Sequence, residues 1–229
     1  MRLRPPGPSD IAFDESGTPV SARFGDVYFS REGGVAETRH VFLEGCDLPA
    51  ALAGRARFAI GETGFGTGLN LLVTALTWRE ATEEGWLDYV STELYPLTRD
   101  KLCEALGRLS AREPALAPAA AELIDAWPAP CAGFHRIELG SLRTRLTLLV
   151  GDAAEMLGAL EARIDAWFLD GFSPARNPEM WSPALFRETA RLSAPGARLA
   201  TYTVAARVRT GLAEAGFALT RRPGFGRKR

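Results

Sequence analysis

Downstream of residue 57 the chain alternates short apolar runs with longer stretches whose apolar side chains return every three or four residues. Phe58–Glu62, Leu87–Glu93, Arg145–Val150, Asp165–Leu169 and Arg198–Thr203 read as buried strands, and Phe217–Arg221 as the start of a sixth. Between them Leu69–Arg79, Thr98–Leu109, Ala153–Leu160, Pro183–Leu192 and Ala205–Ala215 read as helices. In the second of these, Leu102, Ala105, Leu106 and Leu109 share one helical face. Pro195-Gly196 stops the fourth helix and Gly216 caps the fifth. Apolar strands separated by helices predict an α/β fold, a mainly parallel twisted sheet with helices on both faces.

The flanks of this rhythm differ from it. Residues 1–57 carry turn signals at Pro5-Pro6-Gly7-Pro8, Ser16-Gly17 and Gly33-Gly34, with short extended pieces at Ala22–Arg23 and Tyr28–Phe29. Residues 110–136 are rich in Ala and Pro and predict a helical insertion ending near Trp127-Pro128. The expected organisation is a single domain, with an extension over 1–57 packing across the ligand crevice of an α/β unit over 58–229.

Composition narrows the class. With 46% hydrophobic and 24% charged residues, the chain reads as a soluble globular protein able to fill one core. No apolar run reaches membrane-spanning length and no signal-peptide core follows the first residues, so a cytoplasmic location without membrane contact is expected. Cys46, Cys103 and Cys131 fit neither a disulfide framework nor a metal site and read as buried free thiols; His40 and His135 lack ligand spacing, and no metal is expected. The net charge of −1 conceals eight basic groups against one acid over residues 198–229, a stretch of +7 that leaves −8 for the rest. Arg207–Arg229, with Arg221, Arg222 and Arg227, is therefore a candidate phosphate-contact region for a polyanion; a solvated face in an Arg-rich chain is the alternative.

Chemistry concentrates after the expected strands. Gly61-Glu62-Thr63-Gly64-Phe65-Gly66-Thr67-Gly68 follows one strand and opens a helix, where glycines let the backbone turn and approach a ligand. It lacks the lysine of a P-loop, and its spacing is not the G-x-G-x-x-G of a dinucleotide site. It matches instead the E/D-x-G-x-G-x-G loop that holds S-adenosyl-L-methionine in class I, Rossmann-like methyltransferases. Glu93 ends the next strand, where an acid can hold ribose hydroxyls. Asp152, before Ala153, suits either a helix cap or a contact to a base. Asp170-Gly171-Phe172-Ser173-Pro174 is similar to the Asp-Pro-Pro-Tyr/Phe element of amino methyltransferases; Asp170 would orient an amine and take its proton, and Phe172 would stack on the acceptor base or the cofactor.

These motifs and their flanks resemble the methyltransferase domain of the tRNA 5-methylaminomethyl-2-thiouridine biosynthesis enzymes, known as stand-alone proteins and fused to an FAD-dependent oxidase. The resemblance is carried by Gly25–Ser30, Glu37–Gly45, Ile60–Leu71, Asp165–Trp181 and Arg222–Arg229. It implies S-adenosyl-L-methionine as cofactor, tRNA as partner, and methylation of the 5-aminomethyl nitrogen on a wobble uridine. It implies a cofactor crevice formed by Tyr28, Phe29, Gly61, Glu62, Thr63, Gly64, Gly66, Gly68, Asn70, Glu93, Asp152, Ala153 and Asp170, with Asn177, Met180 and Trp181 shaping the acceptor side. The family usually continues beyond the equivalent of Arg229 into a last antiparallel strand and, in fused members, an oxidase. From this chain alone a missing seventh strand and no FAD chemistry are expected, with a separate FAD-dependent oxidase supplying the aminomethyl intermediate.

Three alternatives stay open. A nicotinamide oxidoreductase conflicts with the loop spacing, and an aminopropyltransferase with the basic C-terminal stretch. A non-catalytic RNA-binding subunit would keep the basic stretch and need no Asp170.

Overall fold

In the computed structural model, which describes Gly7 and residues 10–129 and 131–226, the extension begins with three short antiparallel strands, β1 (Ile11–Phe13), β2 (Pro19–Ser21) and β3 (Asp26–Val27). Helix α1 (Gly34–Thr38), a π-helical turn at Arg39–Leu43 and α2 (Leu48–Leu52) lead into the α/β unit. There the apolar runs become β4 (Arg57–Thr63), α3 (Leu69–Ala81), β5 (Trp86–Glu93), α4 (Arg99–Arg112), α5 (Ala117–Asp125), β6 (Gly133–Leu139), β7 (Thr144–Val150), α6 (Ala153–Gly158), β8 (Ile164–Leu169), α7 (Pro183–Leu192), β9 (Ser193–Thr201) and α8 (Ala206–Glu214). Thr98 and Ser182 start α4 and α7 by accepting hydrogen bonds from the Lys101 and Leu185 amides.

The strand order is β6-β7-β5-β4-β8-β9, parallel except for β6, which runs antiparallel to β7. The chain winds outward from β4 through β5 to β7, then returns to build β8 and β9 on the other side. This reversal leaves a crevice at the carboxyl ends of β4 and β8, the position where open α/β sheets take ligands. Period-two alternation divides the core between the faces. Ile60, Leu87, Tyr89 and Phe168 point to the α3–α5 side, and Val90, Trp167 and Leu169 to the α6–α8 side.

The α/β class follows the sequence reading; several details do not. Phe217–Arg221 is not a strand. Among the described residues nothing pairs with it, and the segment beyond folds across the π-helical turn, where Arg222 donates to the Glu44 carbonyl (2.8 Å) and the His40 ring meets the Pro223 carbonyl (3.0 Å). Ala22–Arg23 is a turn closed by Gly25 N–H onto Ser21 O (2.8 Å), and Tyr28–Phe29 is a bend. Residues 133–136, expected in a helical insertion, belong to edge strand β6, whose exposed Phe134, Arg136 and Glu138 alternate with inward positions. Helix α7 ends at Leu192 as read from the sequence, but Pro195-Gly196, read as its stop, lies within β9, at a register shift opposite Ile164 and Ala166. Of the three thiols only Cys46 is buried; Cys103 and Cys131 are exposed. Pro5-Pro6-Gly7-Pro8 falls, apart from Gly7, outside the described residues. Among the described residues no helix is long and apolar enough to cross a membrane.

The closest packing in the sheet is at Gly61, where an added Cβ would stand 2.3 Å from the fully buried Trp167 ring. Gly61→Ala is expected to destabilise the fold by about 1–3 kcal/mol through overpacking. Denaturant midpoints measure this, and an unchanged midpoint would mean that the indole moves aside without cost.

Candidate functional site

The crevice holds a cavity of about 450 Å³, within the size range of small-molecule sites. Its floor is the glycine loop. Gly64 and Gly66 have φ of +78° and +57°, conformations that side chains disfavour. The Gly64 and Phe65 amides both donate to the Thr92 carbonyl at 3.0 Å, fastening the loop to β5. A Cβ on Gly66 would come within 3.2 Å of the Tyr28 ring, and one on Gly64 within 3.1 Å of Gly171 Cα.

The ends of β5, β7 and β8 each bring a carboxylate to the cavity. Glu93, ending β5, accepts from the Gly66 amide on Oε2 and the Tyr95 amide on Oε1, both at 2.9 Å; burial pushes its pKa upward. Asp152 accepts from Glu155 N at 3.0 Å and so caps α6, while it also borders the cavity beside Ala153. Asp170, after β8, accepts from Gly171 N on Oδ1 and from Asn70 Nδ2 on Oδ2, both at 2.8 Å. Asn70 donates a second time to Glu62 Oε1 (2.9 Å) and accepts from Thr38 Oγ1 (2.7 Å). Glu62 is buried beneath this pair, with Ser91 Oγ donating to its other oxygen at 2.6 Å, and desolvation raises its pKa to about 8.

The extension forms the far wall. Phe24 stacks on Phe172 with centroids 4.7 Å apart, and Tyr28 meets the same ring edge-on at 5.2 Å. Asp26 accepts from Ser173 N and Glu37 from Ser30 N, each at 3.0 Å, which ties β3 to the loop after β8 and α1 to the bend before it. Tyr202, beyond β9, donates to the Gly171 carbonyl at 2.9 Å. Seven acids line the cavity (Asp10, Asp26, Glu37, Glu93, Asp152, Asp170 and Glu179) against two arginines, Arg23 and Arg176. Its walls therefore favour a cation.

Of the residues expected from sequence, Tyr28, Phe29, Gly64, Gly66, Asn70, Glu93, Asp152, Ala153, Asp170, Phe172, Asn177 and Met180 border the cavity. Gly61, Glu62, Thr63, Gly68 and Trp181 do not. Gly61 faces Trp167, Glu62 lies below Asn70, and Thr63 donates to the Asp170 carbonyl. Gly68 backs onto Phe65, and the buried Trp181 indole donates to the Phe172 carbonyl. Arg221 and Arg222 lie outside the cavity, Arg222 near Asp47 (3.8 Å), and Arg227 lies outside the described residues. Sequence reasoning passed over Phe24, Asp26, Glu37, Arg176 and Tyr202. Asp26, Glu37 and Arg176 lie inside the stretches that carried the family resemblance, which was the available signal.

The profile of a family described as S-adenosyl-L-methionine-dependent methyltransferase matches residues 114–229. The tRNA 5-methylaminomethyl-2-thiouridine biosynthesis bifunctional protein MnmC of Chromohalobacter salexigens is 53% identical over 231 residues, covering 99% of this chain and 32% of that protein. The protein of the same name from Aromatoleum aromaticum is 53% identical over 226 residues, covering 98% of this chain and 35% of that protein. The chain thus spans about a third of the length of these curated relatives. A crystal structure of MNMC2 from Aquifex aeolicus matches with a TM-score of 0.71 and 23% identity, over 96% of this chain and 68% of that one, a likeness of fold.

The raised pKa of Glu62 makes stability depend on pH. The folded state holds a proton that the unfolded chain releases near pH 4.5, so this contribution is complete below that pH and is lost as pH rises through about 8. Glu62→Gln is expected to flatten the fall in denaturation midpoint between pH 5 and 8, leaving the contribution of Glu93, whose pKa burial also raises. An identical fall in both proteins would show that Glu62 is ionised in the fold.

Proposed function

The chain belongs to the S-adenosyl-L-methionine-dependent methyltransferase family, and on that premise we propose that it methylates the amino nitrogen of a 5-aminomethyl-2-thiouridine at the wobble position of tRNA. The observation that carries this reading is the acidic cavity at the switch point, with Asp170 and Phe172 in its lining. A site for an ammonium-bearing side chain needs negative walls, and a nucleobase needs an aromatic surface; Asp26, Glu37 and Asp170 meet the first need and Phe24, Tyr28 and Phe172 the second. The names of the bifunctional relatives support the choice of acceptor.

The residues present fit the cofactor. Bare glycines at 64 and 66 leave the loop open to close approach, and Glu93 and Asp152 bring carboxylates to the ends of β5 and β7, where the hydroxyls and amino group of an adenosyl moiety need acceptors. When bound, S-adenosyl-L-methionine supplies a methyl group on a sulfonium sulfur. The chain's own work is to prepare the acceptor. An amine attacks only through a free lone pair, so an ammonium must first lose a proton. Asp170, held by the Gly171 amide and the Asn70 side chain, borders the cavity as the acceptor for that N–H. Phe172, fixed between Phe24 and Tyr28, holds the base plane.

Methyl incorporation from labelled S-adenosyl-L-methionine is expected with tRNA carrying aminomethyl-2-thiouridine and not with unmodified tRNA. Incorporation into neither, by protein that binds the cofactor, would overturn the acceptor assignment. Asp170→Asn is expected to lower kcat by about 100-fold or more with cofactor affinity retained; full activity would remove Asp170 from proton transfer. On the binding side, Arg221→Gln with Arg222→Gln is expected to reduce the salt slope of tRNA affinity by about one for each phosphate that is no longer neutralised. An unchanged slope would take both out of the interface.

A further inference from the structure

Asn70 occupies the second position of α3 and is 8% exposed. Both hydrogens of its amide are committed, one to Glu62 Oε1 at 2.9 Å and one to Asp170 Oδ2 at 2.8 Å. Two carboxylates, acceptors when ionised, therefore meet the nitrogen side of the amide. The oxygen side receives the Thr38 hydroxyl at 2.7 Å, and Thr38 is itself buried at the end of α1. If the amide turned over, its oxygen would face the two acids and its N–H groups would face Thr38. A hydroxyl can accept as well as donate, so it is the acceptor-only Asp170 carboxylate that selects this orientation, and the Thr38 hydroxyl then secures the amide oxygen. This arrangement leaves Asn70 no N–H for a ligand, so its place at the cavity edge is not that of a ligand donor.

From this geometry we propose that Asn70 is a positioning residue for Asp170 and that Thr38, on the N-terminal extension, anchors the Asn70 amide through its oxygen. The inference rests on the methyl-transfer reading in assigning Asp170 its role in the reaction. Asn70 holds one oxygen of the Asp170 carboxylate and the Gly171 amide the other, so loss of Asn70 removes one of the hydrogen bonds that set its direction. The extension is then more than a cover. Its α1 supplies Glu37 to the cavity wall and Thr38 to the network beneath it, and α1 is seated on α3 closely enough that a Cβ on Gly34 would stand 2.6 Å from Leu69.

Asn70→Ala is expected to lower kcat by about 100-fold, the order of loss for a misplaced reacting group, with the cofactor dissociation constant changed less than threefold. Loss of a donor to the carboxylate favours its protonated form, so the acid limb of kcat against pH moves upward. The other groups around Asp170 are Glu62 and Tyr89 from β4 and β5, Tyr202 beyond β9, Asp26 and Glu37 from the extension, and Arg176 and Glu179 from its own loop; the variants leave all of them in place. Thr38→Val is expected to move kcat and the acid limb in the same direction by a smaller amount, and Thr38→Ser to restore both. A 13C-carboxyl titration of aspartate-labelled protein reports Asp170 without any acceptor. If the Asp170 resonance titrates at the wild-type pH in both Asn70→Ala and Thr38→Val, the positioning role is overturned. A loss of activity fully explained by weaker cofactor binding overturns it as well. If the titration moves while wild-type protein methylates no tRNA, the positioning role stands and the acceptor assignment falls.

Discussion

Two backbone amides, those of Gly64 and Phe65, converge on the single carbonyl of Thr92, and the arrangement of the crevice depends on that junction. It bends the chain away from β4 at the level where β5 ends, so that Gly66 can in turn reach the Glu93 carboxylate. A side chain at 64 or 66 would meet Gly171 or Tyr28 and force the loop, the segment after β8 or the extension to shift. The bare backbone is therefore what three surrounding elements share. With the loop fixed, α3 starts where Asn70 can lie between Glu62 and Asp170, and one element carries both the ligand floor and the support of the acid beside it.

What was legible in the sequence follows the same division. Central parallel strands are buried on both faces and read as apolar runs, and the residues just past their ends face the crevice by topology alone; Gly64, Glu93, Asp152 and Asp170 are legible for that reason. The motif could not say which face each member takes. Glu62 turns to Ser91 and Asn70 on one face of β4, and Gly61 and Thr63 on the other meet Trp167 and the Asp170 carbonyl, because successive strand residues point to opposite sides. Edge strand β6 reads in sequence as part of a helical insertion, since half of its residues face water and the segment before it is rich in Ala and Pro. The extension was the least legible. Strands of two or three residues have no period to detect, and Phe24, Asp26 and Glu37 reach the cavity through contacts far apart in sequence.

On the proposed reading, electrostatics separates two tasks that a polyanionic substrate would set against each other. The stretch from Arg198 to the C-terminal arginine is strongly basic, yet the cavity carries a clear excess of acids. Part of the basic charge is already neutralised within the fold, where Arg198 and Arg222 approach Asp47. Exposed charges act over roughly a Debye length of about 8–10 Å in salt, so surface arginines can gather a phosphate backbone without cancelling the field inside the crevice. The interior field is set by acids that are half-buried, apart from the exposed Glu179. There it raises the affinity for a cation and also makes that cation slower to lose its proton.

That last tension gives the Asp170 network its purpose. Asp26 and Glu37 attract an ammonium but, like any nearby anions, stabilise its charged form. A neutral amine appears only if one acid is better placed than the others to accept the proton. Asp26 spends an oxygen on the Ser173 amide and Glu37 on the Ser30 amide, bonds that hold the wall together. Asp170 differs in that its support comes from below and from its own backbone neighbour, through Asn70 and Gly171. The support fixes its direction while the carboxylate stays on the cavity face. On the proposed reading, a fold that binds a cation and then deprotonates it needs one acid oriented apart from those that bind, and Asn70, anchored by Thr38, is the group proposed to orient it.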